Sequence, residues 1–434
     1  MTVIKDRLKQ FIIITAAFIN VLTLNPVNAT ERLTLHGCVE LAIRNQPAIK
    51  AARENVNAGQ GRVAQAASPY LPQVSASTGY AESRSSGGAL GDSISKTYTT
   101  SLSANQILYD FGRSGNTLDA ARFGTRSAER DAERVVSEVI LNVKRSYYAL
   151  LAAGKLMAVA RKALEQAESH LRQAEAFFRA GSKPRFDVTR AEVELNDAKL
   201  GVINAKNSVR LRTVELQNAM GLDPGKELEI EDILSAQVVI PEMKQALDES
   251  AKSRPELLKL EADIEAARAK VKAEESDYFP SLSVNGAYNW ARGTAEMGMF
   301  KGDIQNSWNA GIILTMPLFE GGVTKGRVGE ARANLGALEA QRDTVKQSIL
   351  IELHQAYADI ESAAARIAVM ESSLRNARDN LELAQGRYQA GVGVTIEVTD
   401  AQVASVNAET NHVQALYDYQ LAAARLFKAM GKME

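Results

Sequence analysis

The chain has 434 residues, of which 24% are charged, and its formal net charge is −1. This balance provides no basic face, so nucleic acid is excluded as a partner. The single cysteine, Cys38, excludes an intramolecular disulfide, and the four histidines match no metal-binding spacing, so we expect neither a metal nor another cofactor.

The N-terminal segment, residues 1–29, is predicted to be a secretory signal peptide. Basic Lys5, Arg7 and Lys9 precede an apolar run, and V-N-A at 27–29 fits a small-residue cleavage site. A membrane anchor is the alternative. We favour cleavage because the run is shorter than the roughly 20 residues that a spanning helix needs.

The remainder of the chain consists of two similar halves. S-P-Y-L-P at 68–72 returns as S-D-Y-F-P at 276–280, and A-M-G at 219–221 returns at 429–431. Such self-similarity defines the folding unit. We therefore predict a first repeat over 30–221, an equatorial linker over 222–244 and a second repeat over 245–434.

Each repeat is predicted to contain a short helix, two strands, a very long helix and a second short helix. Apolar residues recur at three- and four-residue spacing in the long segments, which would extend about 100 Å. The combined length of the two short helices nearly equals the length of the long one. We therefore expect the short helices to stack end to end beside the long helix and form a rod. The predicted helices are 36–67, 113–180 and 187–220, then 245–277, 323–390 and 397–430.

Two strands are predicted between the first two helices of each repeat. Apolar residues occupy alternate positions, as in Leu282, Val284 and Trp290, and glycine-containing loops are expected at 84–95 and 292–303. Aromatic residues bracket each strand. In two of the four pairs the last residue, Tyr109 or Phe319, has an odd number whereas its partner is even, so the strict alternation fails there by one residue. The pairs are Tyr70 with Tyr80, Tyr98 with Tyr109, Tyr278 with Tyr288, and Trp308 with Phe319.

The bracketed strands have the length of strands in a membrane barrel. Tilted by about 40°, each would cover roughly 25 Å, the height of the apolar band between aromatic girdles. A soluble four-stranded sandwich is the alternative, but the helices have no free face to cover it. Because four strands cannot close a barrel and open edges are not tolerated in lipid, two or three chains must share one barrel.

These features together resemble the TolC family of outer-membrane channel proteins over nearly the whole chain. The resemblance rests on the Y-L-P and Y-F-P strand starts, the turns L-Y-D-F-G-R and L-F-E-G-G, and the A-G-x(5)-D/E-V-T hairpins. It implies a mainly α-helical fold with β-strands in the membrane and two structural repeats per chain. It also implies a homotrimer, in which a shared twelve-stranded β-barrel is continued by a long α-helical coiled-coil barrel. The implied location is the cell outer membrane, extending into the periplasm.

The resemblance also implies a function. The protein would be the passive exit duct of a tripartite export system, releasing drugs or other toxic small molecules. Its partners would be outer-membrane lipid, a periplasmic adaptor (membrane fusion) protein and an inner-membrane transporter. The outer-membrane component of type I protein secretion is the alternative.

The hairpin turns are the candidate gate. Gly181, Gly391 and Gly393 permit tight reversals. By resemblance, Glu397 and Asp400 correspond to paired pore-facing acids at the periplasmic mouth, where a trimer would form carboxylate rings that favour cations. The alternative is that they are solvated acids favoured by a helix N-terminus.

The resemblance also places a closing contact at these turns. Tyr388 corresponds to a tyrosine that helps to hold the entrance closed, and Asp187 corresponds to its acceptor. Gly393 stands where the family has an arginine, and Phe186 replaces a small hydroxyl residue, so one closing link is missing. The candidate substitutes are Lys183, Arg185 and Arg190.

Two other classes of protein are less consistent with these features. A periplasmic coiled-coil adaptor would share the helices but lack the girdled strands. An enzyme is not expected, because the chain has no phosphate loop, nucleophile elbow or metal cluster.

Overall fold

The computed structural model describes residues 32–85, 93–225, 228–234, 237–295 and 304–432. The predicted signal peptide lies outside the described residues. The first repeat contains α1 (Leu35–Asn45), α2 (Pro47–Ala66), β1 (Gln73–Ser85), β2 (Ser93–Tyr109), α3 (Arg113–Arg179) and α4 (Arg185–Ala219). The second contains α5 (Met243–Ser253), α6 (Pro255–Glu275), β3 (Ser281–Ala295), β4 (Gln305–Thr315), α7 (Val323–Gln389) and α8 (Thr395–Ala429).

The two long helices, α3 and α7, confirm the prediction to within one residue and have 67 residues each. Each starts after a glycine in the left-handed conformation, Gly112 or Gly322. Helix α3 packs against α2, α4, α6 and α8, and α7 packs against α6 and α8. Among the described residues, no helix combines the length and apolarity needed to cross a membrane.

The predicted helices 36–67 and 245–277 are wrong as single helices, because each is broken once. The breaks fall at Gln46 and Arg254, whose backbones are extended with ψ of 121° and 116°. Pro47 and Pro255 follow directly, and a proline disfavours the helical conformation of the residue before it. Proline is well tolerated at the first position of the next helix, so each break separates two regular helices.

The short helices stack end to end, as predicted. At the first junction, the Gln46 amide donates to the carbonyls of Asn218 (2.7 Å) and Ala219 (2.9 Å), where α4 ends. At the second, the Arg254 guanidinium donates to the carbonyl of Ala429 (3.2 Å), where α8 ends. These donors satisfy carbonyls that a helix C-terminus leaves unpaired.

The segment between the repeats, residues 222–244, is held to both long helices. The Tyr147 hydroxyl of α3 donates to the carbonyl of Glu231 (2.8 Å), and the Tyr357 hydroxyl of α7 donates to the carbonyl of Pro241 (2.8 Å). Leu234 is buried in the core around Tyr147, and Val238 packs against the second core, around Leu353. The hydrophobic cores of the two repeats therefore meet the linker at one level of the rod.

The strands form one antiparallel sheet in the order β1-β2-β3-β4. Pairs such as Tyr80 with Tyr98, Leu102 with Tyr288, and Tyr288 with Trp308 place the even-numbered residues of all four strands on one face. This aromatic face consists of the even positions in 74–84, 94–106, 282–292 and 306–314. The opposite, polar face is rich in Ser, Thr and Asn, so the predicted alternation is confirmed.

The parity mismatch at the strand ends has two different causes. At Tyr109, a bulge after Ile107 shifts the register so that Tyr109 pairs with Leu282 and returns to the aromatic face. Phe319 is not in a strand, because β4 ends at Thr315, and its side chain is 89% exposed beyond that end.

The limits of the strands also differ from the prediction. Tyr70 and Tyr278 lie in 3₁₀ turns that precede β1 and β3. The predicted loops begin too early, since β1 continues to Ser85 and β3 to Ala295. The first predicted loop also ends too late, because β2 begins at Ser93, and residues 86–92 and 296–303 lie outside the described residues.

Candidate functional site at the hairpin tips

Two helical hairpins end side by side at the end of the rod remote from the sheet. The first tip, residues 180–184, joins α3 to α4, and the second tip, residues 390–394, joins α7 to α8. Gly181 and Gly391 have φ of 72° and 80°, in the left-handed region that glycine adopts most readily. The next residue in each turn donates back to the helix, Ser182 to Phe177 (3.0 Å) and Val392 to Arg387 (3.1 Å), as in a Schellman motif.

Gly393 is constrained by space rather than by its φ angle. A Cβ at this position would lie 2.9 Å from the backbone nitrogen of Tyr388 and 3.0 Å from the carbonyl carbon of Arg387. Its N–H donates to the Arg387 carbonyl (2.9 Å). This turn therefore has no room for the arginine that the resemblance places at residue 393.

Lys183 links the two tips. Its ammonium group donates to the carbonyl of Gly393 (3.0 Å) and lies 5.5 Å from the centre of the Tyr388 ring. Both contacts attract the ammonium group to this position, one through a charge-assisted hydrogen bond and the other through the ring quadrupole. Among the described residues, Arg185 and Arg190, the other two candidate substitutes, form no hydrogen bond to the second tip.

Tyr388 is the centre of the contact between the hairpins. Its side chain is 0% exposed, and its ring packs against the rings of His170 (5.2 Å) and Phe177 (5.6 Å) of α3. Burial, reinforced by the nearby Asp187 carboxylate, raises the pKa of Tyr388. The structure thus brings the predicted pair Tyr388 and Asp187 together, although the Tyr388 hydroxyl forms no hydrogen bond of regular geometry.

His170 is a site residue that sequence reasoning missed. Its Nε2 lies 3.0 Å from the Thr395 hydroxyl, and both side chains are buried. Burial lowers the pKa of His170, while the Asp187 carboxylate opposes that change. Its helical spacing from Ala174 and Phe177 could have indicated a residue on the inner face of α3.

Glu397 and Asp400 lie apart from this buried cluster. Both are exposed and lie one turn apart at the start of α8. Glu397 pairs with Arg387, whose Nε lies 3.4 Å from its carboxylate, and both side chains are exposed. The two carboxylates are therefore accessible to solvent, and one of them has a cation beside it.

A groove of about 600 Å³ runs between α4 and α8 behind the tips. Phe186 and Val193 line it on one side and Val403 on the other. Glu194 lies in its wall, where burial raises the pKa of its carboxyl group against the opposing effects of Thr399 and Arg190. Among the described residues, no group of three His, Cys, Asp or Glu side chains could hold a metal ion.

Comparison with known proteins places these features in context. The family model described as outer membrane efflux protein matches residues 38–222 and 246–432. The outer membrane efflux protein BepC of Brucella suis is 24% identical over 400 residues, covering 92% of this chain and 86% of BepC. The alkaline protease secretion protein AprF of Pseudomonas aeruginosa is 26% identical over 410 residues, covering 89% of this chain and 82% of AprF.

The fold is also found in a solved structure. The outer membrane protein VceC from Vibrio cholerae superposes with a TM-score of 0.76 at 19% identity, covering 92% of this chain and 97% of VceC. At this identity the likeness establishes the fold, with its two repeats, four strands and long helical hairpins.

Proposed function

The chain belongs to the outer membrane efflux protein family, and from this premise we propose that three copies form the passive exit duct of a tripartite export system. The duct lies in the outer membrane and extends into the periplasm. It receives drugs or other toxic small molecules from an inner-membrane transporter through a periplasmic adaptor. No catalytic step takes place in it.

The open, one-sided sheet is the observation that carries this proposal. Among the described residues of the chain, β1 and β4 each pair on one side only, so this sheet has two unpaired edges. Lipid does not tolerate such edges. Because β1 and β4 run in opposite directions, β4 of one copy pairs antiparallel with β1 of the next. Three copies give twelve strands, enough to close a barrel with the aromatic face towards lipid.

The helices support the same assembly. Phe186, Val193 and Leu200 recur every seven residues along α4 and are exposed, and Ile203, Leu211 and Val214 continue this apolar surface. Helix α4 lies at one edge of the helical layer and packs mainly against α3. A stripe with this spacing is typical of a helix that packs against another helix, so a neighbouring copy would cover it.

The hairpin tips are proposed to be the gate. Tyr388 and Asp187, with Lys183, hold the second hairpin against the first, which keeps the mouth narrow. Glu397 and Asp400 would face the pore and form two carboxylate rings that favour cations. Arg387, which pairs with Glu397, would reduce but not cancel the charge of the Glu397 ring.

The chain organisation fits this role. Residues 1–29 would direct export and be removed, and the repeats 30–221 and 245–434 would each supply two strands and one hairpin. The linker 222–244 would form part of an equatorial belt around the duct.

Deletion of the gene tests the proposed cargo. We expect the deletion strain to become sensitive to several unrelated toxic compounds, with sensitivity reversed by the wild-type gene. The purified mature chain should also form a trimer in detergent and conduct ions in a planar bilayer. A monomer that stays soluble in water without detergent would overturn the proposal.

Type I protein secretion is the second candidate, and the similarity to AprF, a protein named for protease secretion, favours it. In that case the deletion strain would lose a protein from the culture medium and keep its drug resistance. A periplasmic adaptor, the alternative of another class, does not fit a member of this family.

A further inference from the structure

The charged residues of the sheet have an unexpected distribution. All four of them, Glu82, Arg84, Lys96 and Arg292, occupy even positions and therefore lie on the aromatic face. The polar face has no charged residue in the described strands. A charge is stable on the water-filled side of a barrel, whereas it is costly on the lipid side unless it lies at the headgroups with a partner.

The register places the basic residues at the level of the lipid headgroups. Eleven residues separate Ser281, where β3 leaves the helical rod, from Arg292, which corresponds to roughly 28 Å along the barrel axis at a tilt of about 40°. That distance slightly exceeds the apolar band of about 25 Å. Arg292 thus lies just beyond the outer edge of the band, at the end of the sheet remote from the helices.

Lys96 and Arg292 border a shallow pocket of about 590 Å³ on the aromatic face. Arg292 of β3 pairs with Tyr98 of β2. Lys96, two residues before Tyr98, is therefore the diagonal neighbour of Arg292. Diagonal neighbours lie roughly 7–8 Å apart, so both side chains can reach one phosphate group. Trp290 and Thr100, which pair with each other across β2 and β3, form the side of the pocket nearer the apolar band, and Ile304, just before the start of β4, lines its outer part.

The charges around the pocket favour an anion. Two basic residues of the pocket, Lys96 and Arg292, lie near a single carboxylate of the described strands, Glu82, which pairs with Lys96 across β1 and β2 and already accepts a hydrogen bond from the Tyr80 hydroxyl (2.8 Å). Within the described residues, Lys96 and Arg292 form no hydrogen bond or ion pair. Strands β2 and β3 are the two central strands of the sheet, so a neighbouring copy that pairs at β1 or β4 leaves the pocket open to lipid.

We propose that this pocket binds the phosphate group of an anionic glycolipid in the outer leaflet of the outer membrane. Lys96 and Arg292 contact the phosphate, and the guanidinium can do so with two parallel hydrogen bonds. The rings of Tyr98 and Trp290 pack against the sugar and the start of the acyl chains. This site goes beyond the proposed duct and depends only on the location of the sheet in the outer membrane.

The test uses the full mature protein in detergent and bisphosphorylated lipid A as the probe, with binding measured by native mass spectrometry. We expect the double variant Lys96→Gln, Arg292→Gln to raise the Kd about 30-fold, since each basic contact with an anionic lipid surface contributes a factor of about five. The control Lys325→Gln, Lys346→Gln removes the same charge from exposed positions on α7 and should leave the Kd unchanged.

A second measurement does not depend on the folding of the variants. The wild-type protein should bind lipid A much more tightly than its dephosphorylated form. Equal affinity for the two lipids, or an equal loss in the α7 control, would overturn the site. Conductance of the same samples reports separately on the duct, so a failure of the lipid site and a failure of the proposed function are distinguishable.

Discussion

The two repeats follow the same chain path but use different chemistry where their short helices meet. In the first repeat, the neutral amide of Gln46 donates to the carbonyls that end α4. In the second, the buried guanidinium of Arg254 donates to the carbonyl of Ala429 and also pairs with Glu256 (3.1 Å) and Glu352 (2.7 Å). The fold thus requires a donor aimed at the end of the returning helix rather than one particular residue.

The difference also changes what each junction holds together. Glu352 belongs to α7, so Arg254 ties three helices at one point, whereas Gln46 ties two. The hairpin tips are unequal in the same way. The first hairpin provides Lys183 and Asp187. The second hairpin provides the Gly393 carbonyl, which accepts from Lys183, and the Tyr388 ring, which lies near both side chains. The two repeats share one chain path, whereas the groups that meet between the two hairpins are complementary rather than identical.

The largest predicted effect breaks the second junction. Arg254→Ala should destabilise the protein by about 3 kcal/mol, because it leaves a buried carbonyl and two carboxylates without their donor. Gln46→Ala should cost only about 1 kcal/mol, the net value of a neutral hydrogen bond. Chemical unfolding of both variants in one detergent, followed by circular dichroism, measures the difference. Equal costs would show that the ion pairs add nothing.

The second prediction separates the tips. Lys183→Met removes the hydrogen bond to Gly393 and the charge over the Tyr388 ring, so the open state should become about tenfold more populated. Single-channel recordings measure this as open probability. Lys199→Met, an exposed lysine farther along α4, is the matched control. An unchanged open probability in Lys183→Met would show that this contact does not keep the tips together.

The third prediction concerns the exposed acids. Glu397→Gln with Asp400→Asn should lower the permeability ratio of K⁺ to Cl⁻ by a factor of about two at low salt, and by less at high salt, where charges are screened. Glu242→Gln with Asp248→Asn removes the same charge near the linker and should have no effect. Unchanged selectivity in the tip variant would remove Glu397 and Asp400 from the pore.

The smallest predicted effect is pH-dependent. Burial between the docked hairpins lowers the pKa of His170, and separation of the hairpins would expose the imidazole and restore its ordinary pKa. Below that ordinary value, the separated state therefore binds more protons than the docked state. Docking should therefore be strongest above about pH 6.5 and weaken as pH falls through the window between that value and the lowered one. Spin labels at residues 182 and 392 report the distance between the tips. His170→Gln should abolish the change, and a persistent change would assign it to another group.

Much of the architecture could be predicted because its signals are local. Long proline-free periodic segments predict α3 and α7, and alternation predicts the two faces of the strands. The two breaks also have a local signal, because Pro47 and Pro255 each disfavour a helical conformation of the residue before them, so the prediction of single helices over 36–67 and 245–277 missed information that the sequence contains. The return of Tyr109 to the aromatic face could not be predicted, because the bulge that causes it exists only where β2 pairs with β3.

The repeats, the helix lengths and the alternation of the strands could be predicted from the sequence alone, because these features depend on neighbours a few residues apart. The contacts of His170 with Thr395, 225 residues away, and of Lys183 with Gly393, 210 residues away, arise only in the folded arrangement. That arrangement also gathers the charged residues of three different strands at one end of one face. Such contacts depend on how separate helices and strands are placed, and no local pattern records that placement.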